Sequence, residues 1–106
     1  MDRSDVLKLI GQSYERDDNG VMQLVDTTER EIFCQVESIT RNEFFEAGRN
    51  GLNPEYKFLI FFGDYQNERV VEYDEKRYAV YRTFRGKNDI IELYVERQGG
   101  TNGAQG

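Results

Sequence analysis

Histidine is absent from this chain, and cysteine occurs once, as Cys34. Without imidazole, the side chain best suited to proton transfer near neutral pH is missing, so His-based catalysis and zinc or haem sites are not expected. A lone cysteine cannot close an internal disulfide, which fits a reducing compartment. Within the apolar run Ile32-Phe33-Cys34 it reads as a small buried hydrophobe. No phosphate-cradling glycine loop, nucleophile elbow or Cys/His pair occurs, so the chain is expected not to be an enzyme and to need no cofactor or metal. Long apolar runs are missing as well. No window approaches the ~18 residues of a membrane span, and Met1-Asp2-Arg3-Ser4-Asp5 lacks the basic and apolar regions of an export signal. The expectation is a soluble protein that stays where it is made unless it is built into something larger. Positive charge is also in short supply: at net −6 and pI ≈ 4.7, the chain repels nucleic acid at long range.

What is present fits one small domain. A length of 106 residues holds one core, since a second would need roughly another 50 residues. Hydrophobic residues are 38% of the chain against 32% charged, so the apolar side chains must be concentrated on particular faces. Seven Tyr and seven Phe help, each removing on the order of 150–250 Å² from water when buried.

The alternation is that of strands. Residues 6–15 and 21–30 flank Asp18-Asn19-Gly20, and Asn-Gly predicts a hairpin with a type I′ turn, both central residues tolerating positive φ. Asp17-Asp18-Asn19-Gly20 lacks the spaced ligands and terminal Glu of a calcium loop, so it reads as a turn. Ile32, Cys34 and Val36 alternate with polar neighbours and continue or follow the second strand. Tyr56, Phe58, Ile60 and Phe62 share a face, while Leu59 and Phe61 make the other face apolar too, as in a central strand or one meeting a partner. A turn at 63–68 precedes a hairpin through Asp74-Glu75, in which Tyr78, Val80 and Phe84 share a face. After a reversal at Gly86-Lys87-Asn88-Asp89, the residues Ile91, Leu93 and Val95 point inward.

Between these runs, Thr40 to Gly48 predicts one short helix, about residues 41–47. Thr40 and Glu43 form a capping box, Ile39 and Phe44 a hydrophobic staple, and Gly48 the left-handed residue past the end. About six short strands with one helix predict a mainly β protein: a small six-stranded antiparallel barrel over residues 1–98, followed by a flexible glycine-rich tail at 99–106.

Asp64, Glu68, Glu72 and Asp74 read as solubilising charge on turns and strand faces. Lys76, Arg77, Arg82, Arg85 and Lys87 lie among Tyr78, Tyr81 and Phe84, but nearby carboxylates favour cross-strand ion pairs over a nucleic-acid groove. The segment from Thr40 to Pro54 is the most informative. Phe44, Phe45 and Leu52 are costly to expose, whereas Arg49 and Asn50 are costly to bury, so the segment either caps the barrel or touches another subunit. With Glu43 and Asn53, these are the interface candidates; Asp64, Tyr65 and Arg85 are secondary ones.

The order of short patterns resembles the phage head closure proteins, the connector and stopper components between capsid and tail. Glu31 to Ile39 followed by Arg41-Asn42-Glu43-Phe44-Phe45-Glu46-Ala47-Gly48 is similar to the opening of that family. Leu52-Asn53-Pro54-Glu55-Tyr56, Val71-Glu72-Tyr73, Lys76 to Thr83 and Glu92-Leu93-Tyr94 continue the likeness in the same order over nearly the whole domain. Asp74-Glu75 departs from it, standing where members often have a glycine-containing pair. The resemblance implies a barrel that assembles as a dodecameric ring in the virion, monomeric when isolated, with a portal or adaptor ring above and a tail protein below. DNA would pass as non-specific cargo, and Thr40 to Pro54 best matches the loop that projects into the channel in some members. Without a virion, the alternative is a small SH3- or OB-like barrel serving as a binding adaptor or inhibitor.

Overall fold

Wherever apolar and polar residues alternate, the chain is extended. In the computed structural model, which describes residues 5–97, the order is β1 (Asp5–Arg16), β2 (Met22–Glu37), α1 (Arg41–Arg49), β3 (Pro54–Phe61), a 3-10 turn (Phe62–Asp64), β4 (Val70–Tyr73), β5 (Lys76–Arg85) and β6 (Ile90–Arg97). The tail expected at 99–106 lies outside the described residues. All pairings are antiparallel, and the strands close in the order β1-β2-β3-β6-β5-β4, as the six-stranded barrel expected from the sequence. Two seams are short. β1 meets β4 only through Lys8–Ile10, and β2 meets β3 only through Gln35–Glu37.

Inside the ring, period-two alternation delivers Leu7, Leu9, Cys34, Phe58, Ile60 and Val71, with Tyr78, Val80, Ile91, Leu93 and Val95, to one core. Phe58 is fully buried, and its ring meets Tyr56, Tyr73 and Tyr78 at centroid distances of 5.2–6.3 Å. Cys34 is buried and free, and burial, with the nearby Asp5 charge, pushes its thiol up to about 12. β3 lies between β2 and β6, as each strand of the closed ring lies between two others, and its second apolar face is not covered: Leu59 is half-buried and Phe61 is exposed.

Several local readings need correction. The β1–β2 turn is not type I′: only Gly20 has positive φ, at 81°. Asp17 Oδ1 accepts from the N–H groups of Asn19 and Val21, and Gly20 N–H donates to the Asp17 carbonyl, so an aspartate-capped turn closes the hairpin instead. Phe84 does not share the inward face of Tyr78 and Val80. Val80 pairs with Val95 but Arg82 with Tyr94, so Tyr81 is an extra residue in a bulge, and beyond it the strand's faces exchange. Phe84 is left 52% exposed. Phe62 leaves the strand for the 3-10 turn.

Asp74 and Glu75, at φ of 54° and 65°, make the reversal from β4 to β5 without glycine. A glutamate held there costs roughly 1–2 kcal/mol of backbone strain. Glu75→Gly is therefore expected to raise unfolding stability by about 1 kcal/mol, read as a higher denaturant midpoint at unchanged slope.

The hairpin outruns the barrel. Beyond Ile10 and before Arg30, neither β1 nor β2 pairs with another strand except its own partner, and nearly every residue there is exposed. The result is a two-stranded arm reaching roughly 20 Å from the ring, along a molecule 47 Å in its longest extent. At its root Gly11 faces Thr28, whose Oγ1 would lie 2.6 Å from any added Cβ.

Candidate functional site

The helix forms as its cap predicts, though only half of the capping box is made. Thr40 Oγ accepts from Glu43 N–H at 3.2 Å, but the Glu43 carboxylate does not reach back. It turns to the barrel, where Tyr81 Oη donates to it at 2.8 Å and the Arg82 guanidinium also binds. The bulge at Tyr81 sets these two consecutive residues against the helix. Arg82 in turn stacks over the Tyr94 ring at 3.9 Å. Burial works to raise the Glu43 carboxyl, but the hydrogen bonds from Arg82 and Tyr81 and the Arg82 charge outweigh it, and the net shift is downward. Tyr81 moves up through burial and the Glu43 carboxylate.

The helix runs two residues further than expected, to Arg49, and the left-handed residue is Gly51 at φ 79°, not Gly48. Leu52 N–H bonds the Ala47 carbonyl and Gly51 N–H that of Gly48, a Schellman ending that the Asn50-Gly51 pair allows. Ala47 is buried, Leu52 half-buried, and Asn53 N–H donates to Glu96 Oε1. Phe44 stays 52% exposed with its ring against Phe45, which is not the covered contact of a hydrophobic staple. The seven interface candidates therefore divide. Glu43 and Asn53 tie the segment to the barrel, Leu52 is half-buried with its N–H on the Ala47 carbonyl of the helix, and Asn50 donates to its own helix at Glu46, whereas Phe44, Phe45 and Arg49 face outward.

The secondary candidates act as anchors. Arg30 Nη2 donates to the Asp64 carbonyl at 2.6 Å and to Glu68 Oε2 at 2.7 Å. Glu68, expected as solubilising charge, is buried and takes a second bond from Gln66 N–H, while Tyr65 Oη donates to the Glu68 carbonyl. One carboxylate thus folds the loop between the 3-10 turn and β4 onto β2. Burial alone would raise its pKa, but the Arg30 and backbone hydrogen bonds prevail and hold it low. Arg85 stacks on Phe62 at 3.7 Å and pairs with Asp89. The expected cross-strand ion pairing holds for Arg77 with Glu72. Among the described residues no group of three or more carboxylate or thiol side chains is placed to hold a metal ion, and no helix is long and apolar enough to cross a membrane.

The arm is the surface that sequence reasoning missed. Tyr14 lies opposite Leu24 and Arg16 opposite Met22, so these share one face of the ribbon, with Val25 the extra residue of a bulge beside them. Tyr14, Met22, Leu24 and Val25 are each at least half exposed. The hairpin at residues 11–28 projects beyond the ring, whereas the segment from Thr40 to Pro54 is bonded to the barrel through Glu43 and Asn53. The signal was in the lengths: strands of 12 and 16 residues, against 4 to 10 for the rest, cannot all fit around one small ring. Comparison with protein-family models and with curated proteins finds no match to this sequence.

Proposed function

We propose that this protein is a non-enzymatic structural subunit of a phage head–tail connector, a head closure component that joins the portal or adaptor to the tail and helps retain packaged DNA. The observation that carries the reading is the ordered series of short patterns from Glu31 to Tyr94, which resembles that family over nearly the whole domain. The closed barrel with exposed apolar side chains on the arm, at Phe44–Phe45 and at the Val6–Phe33 pair suits a part whose partners are other proteins. The charge of −6 suits a wall past which DNA moves without adsorbing.

On this reading the isolated subunit is largely monomeric and assembles in the virion neck on the ring that precedes it. The test is genetic complementation in the phage carrying this gene. Without the gene, filled heads that leak DNA or carry no tails are expected, and the plasmid-borne chain restores infectious particles. Normal tailed virions in its absence would end the proposal.

A further inference from the structure

We infer that the outer face of the barrel around Phe33 docks a basic, amphipathic segment of a partner protein. Phe33 is the most exposed large apolar side chain among the described residues, at 66%. It lies directly opposite Val6, itself 41% exposed, so the two stand side by side on the outer face of the β1–β2 ladder while Leu7 and Cys34 fill the core. A strand of this alternation ordinarily turns polar side chains to water. Here a phenyl ring and its isopropyl neighbour take their place.

Beside the pair is a hollow of about 270 Å³, lined by Val6, Lys8 and four carboxylates, Glu31, Glu72, Asp74 and Glu75. The register gathers them. Lys8 lies opposite Glu31 on one side and Glu72 on the other, and the turn that follows β4 adds Asp74 and Glu75. Little positive charge answers them. Lys8 is shared between Glu29 at 3.8 Å and Glu72 at 3.9 Å, and Arg77 meets the same Glu72 at 3.5 Å. Lys76 pairs with Tyr73, which puts it on the other face of the β4–β5 ladder. Glu31, Asp74 and Glu75 have no ion-pair partner among the described residues.

The sign of this surface selects its occupant. Nucleic acid and anionic lipid are repelled by it. A second copy brings a net charge of −6 of its own, so its approach is opposed at long range. A small cation could meet the carboxylates but would leave Phe33 and Val6 bare. A polypeptide segment that sets an apolar side chain on Phe33 and Val6, and Lys or Arg against Glu31, Asp74 and Glu75, complements both halves of the surface at once. Neither this surface nor its test depends on the head closure reading.

The probe is a short fluorescent peptide of alternating Leu and Lys, titrated against the intact chain in about 0.1 M salt, where charges more than about 10 Å apart are largely screened. It is expected to bind, and a peptide of alternating Leu and Glu is not. Phe33→Ser, and separately Glu31→Lys with Glu75→Lys, are each expected to weaken binding about tenfold or more. All three side chains are exposed, so the fold is expected to survive their replacement. Asp18→Lys with Asp26→Lys, on the arm, makes the same change in net charge and is expected to leave the affinity within about twofold. No binding, an equal loss from the arm pair, or parent-like binding by Phe33→Ser would overturn the docking. So would parent dimers in sedimentation that Phe33→Ser dissociates, which would give the face to a second copy, or displacement of the peptide by duplex DNA. A chain that complements the phage but does not bind the peptide refutes only the docking, and one that binds the peptide but does not complement refutes only the head closure reading.

Discussion

Phe58→Ala is expected to cost about 3–5 kcal/mol of stability, a large part of what a domain of this size has to lose. Phe58 is fully buried at the centre of β3, the strand flanked by β2 and β6, and its ring is the meeting point of Tyr56, Tyr73 and Tyr78. Its removal takes away both the transfer of a large ring out of water and the ring contacts with three tyrosines, edge-to-face for Tyr73 and Tyr78 and tilted for Tyr56, and a barrel closed on both sides cannot collapse to fill the space. Phe45→Ala is the matched control. Phe45 is 58% exposed on α1, and its loss is expected to change stability by no more than about 0.5 kcal/mol. Urea unfolding of the two variants, followed by tyrosine fluorescence, measures the contrast; equal midpoints would mean that the aromatic cluster is not the core of the barrel.

Arg30→Ala is expected to cost about 3 kcal/mol, because it leaves the buried Glu68 carboxylate without its guanidinium. The lower end of the usual range applies, since the Arg30 side chain is 35% exposed and water can reach part of the vacated space. The pH dependence follows from the sign of the Glu68 shift. Its folded pKa lies below the ordinary glutamate value, so the pair contributes stability above that value and loses it as pH falls through the folded pKa. In Arg30→Ala, burial remains while the guanidinium is gone, so protonation of Glu68 relieves the fold instead of weakening it. The stability gap between parent and variant is therefore expected to be widest near neutral pH and to narrow as pH falls below about 4–5. Thermal melts from pH 7 down to pH 3 check this, and a gap that stays constant would assign the cost of the substitution to lost packing.

What was legible in the sequence was local. Ile91, Leu93 and Val95 alternate with Glu92, Tyr94 and Glu96, and the strand they form has the expected inward face. Thr40 caps α1 because the cap needs only its own hydroxyl and an N–H three residues on. Features that depend on distant partners were not legible. Glu43 binds Tyr81 and Arg82 because a bulge in β5 brings them beneath the helix, and nothing between Thr40 and Gly48 encodes that bulge. The same bulge turns Phe84 outward. Glu68 looks like any turn carboxylate until Arg30, 38 residues earlier, is folded over it. The arm is a third case: Tyr14, Met22 and Leu24 alternate as well as core residues do, and they are exposed only because no strand crosses either side of the hairpin beyond Ile10. Of the candidate residues, those facing outward on α1 were identified by type, and their division from those facing the barrel needed the fold.

The head closure reading is tested most directly on DNA-filled heads from a phage lacking this gene, mixed with the purified protein and then exposed to nuclease. The account predicts that the protein sediments with the heads and that their packaged DNA becomes resistant to digestion. Protein left in the supernatant, with the DNA as sensitive as before, would contradict it.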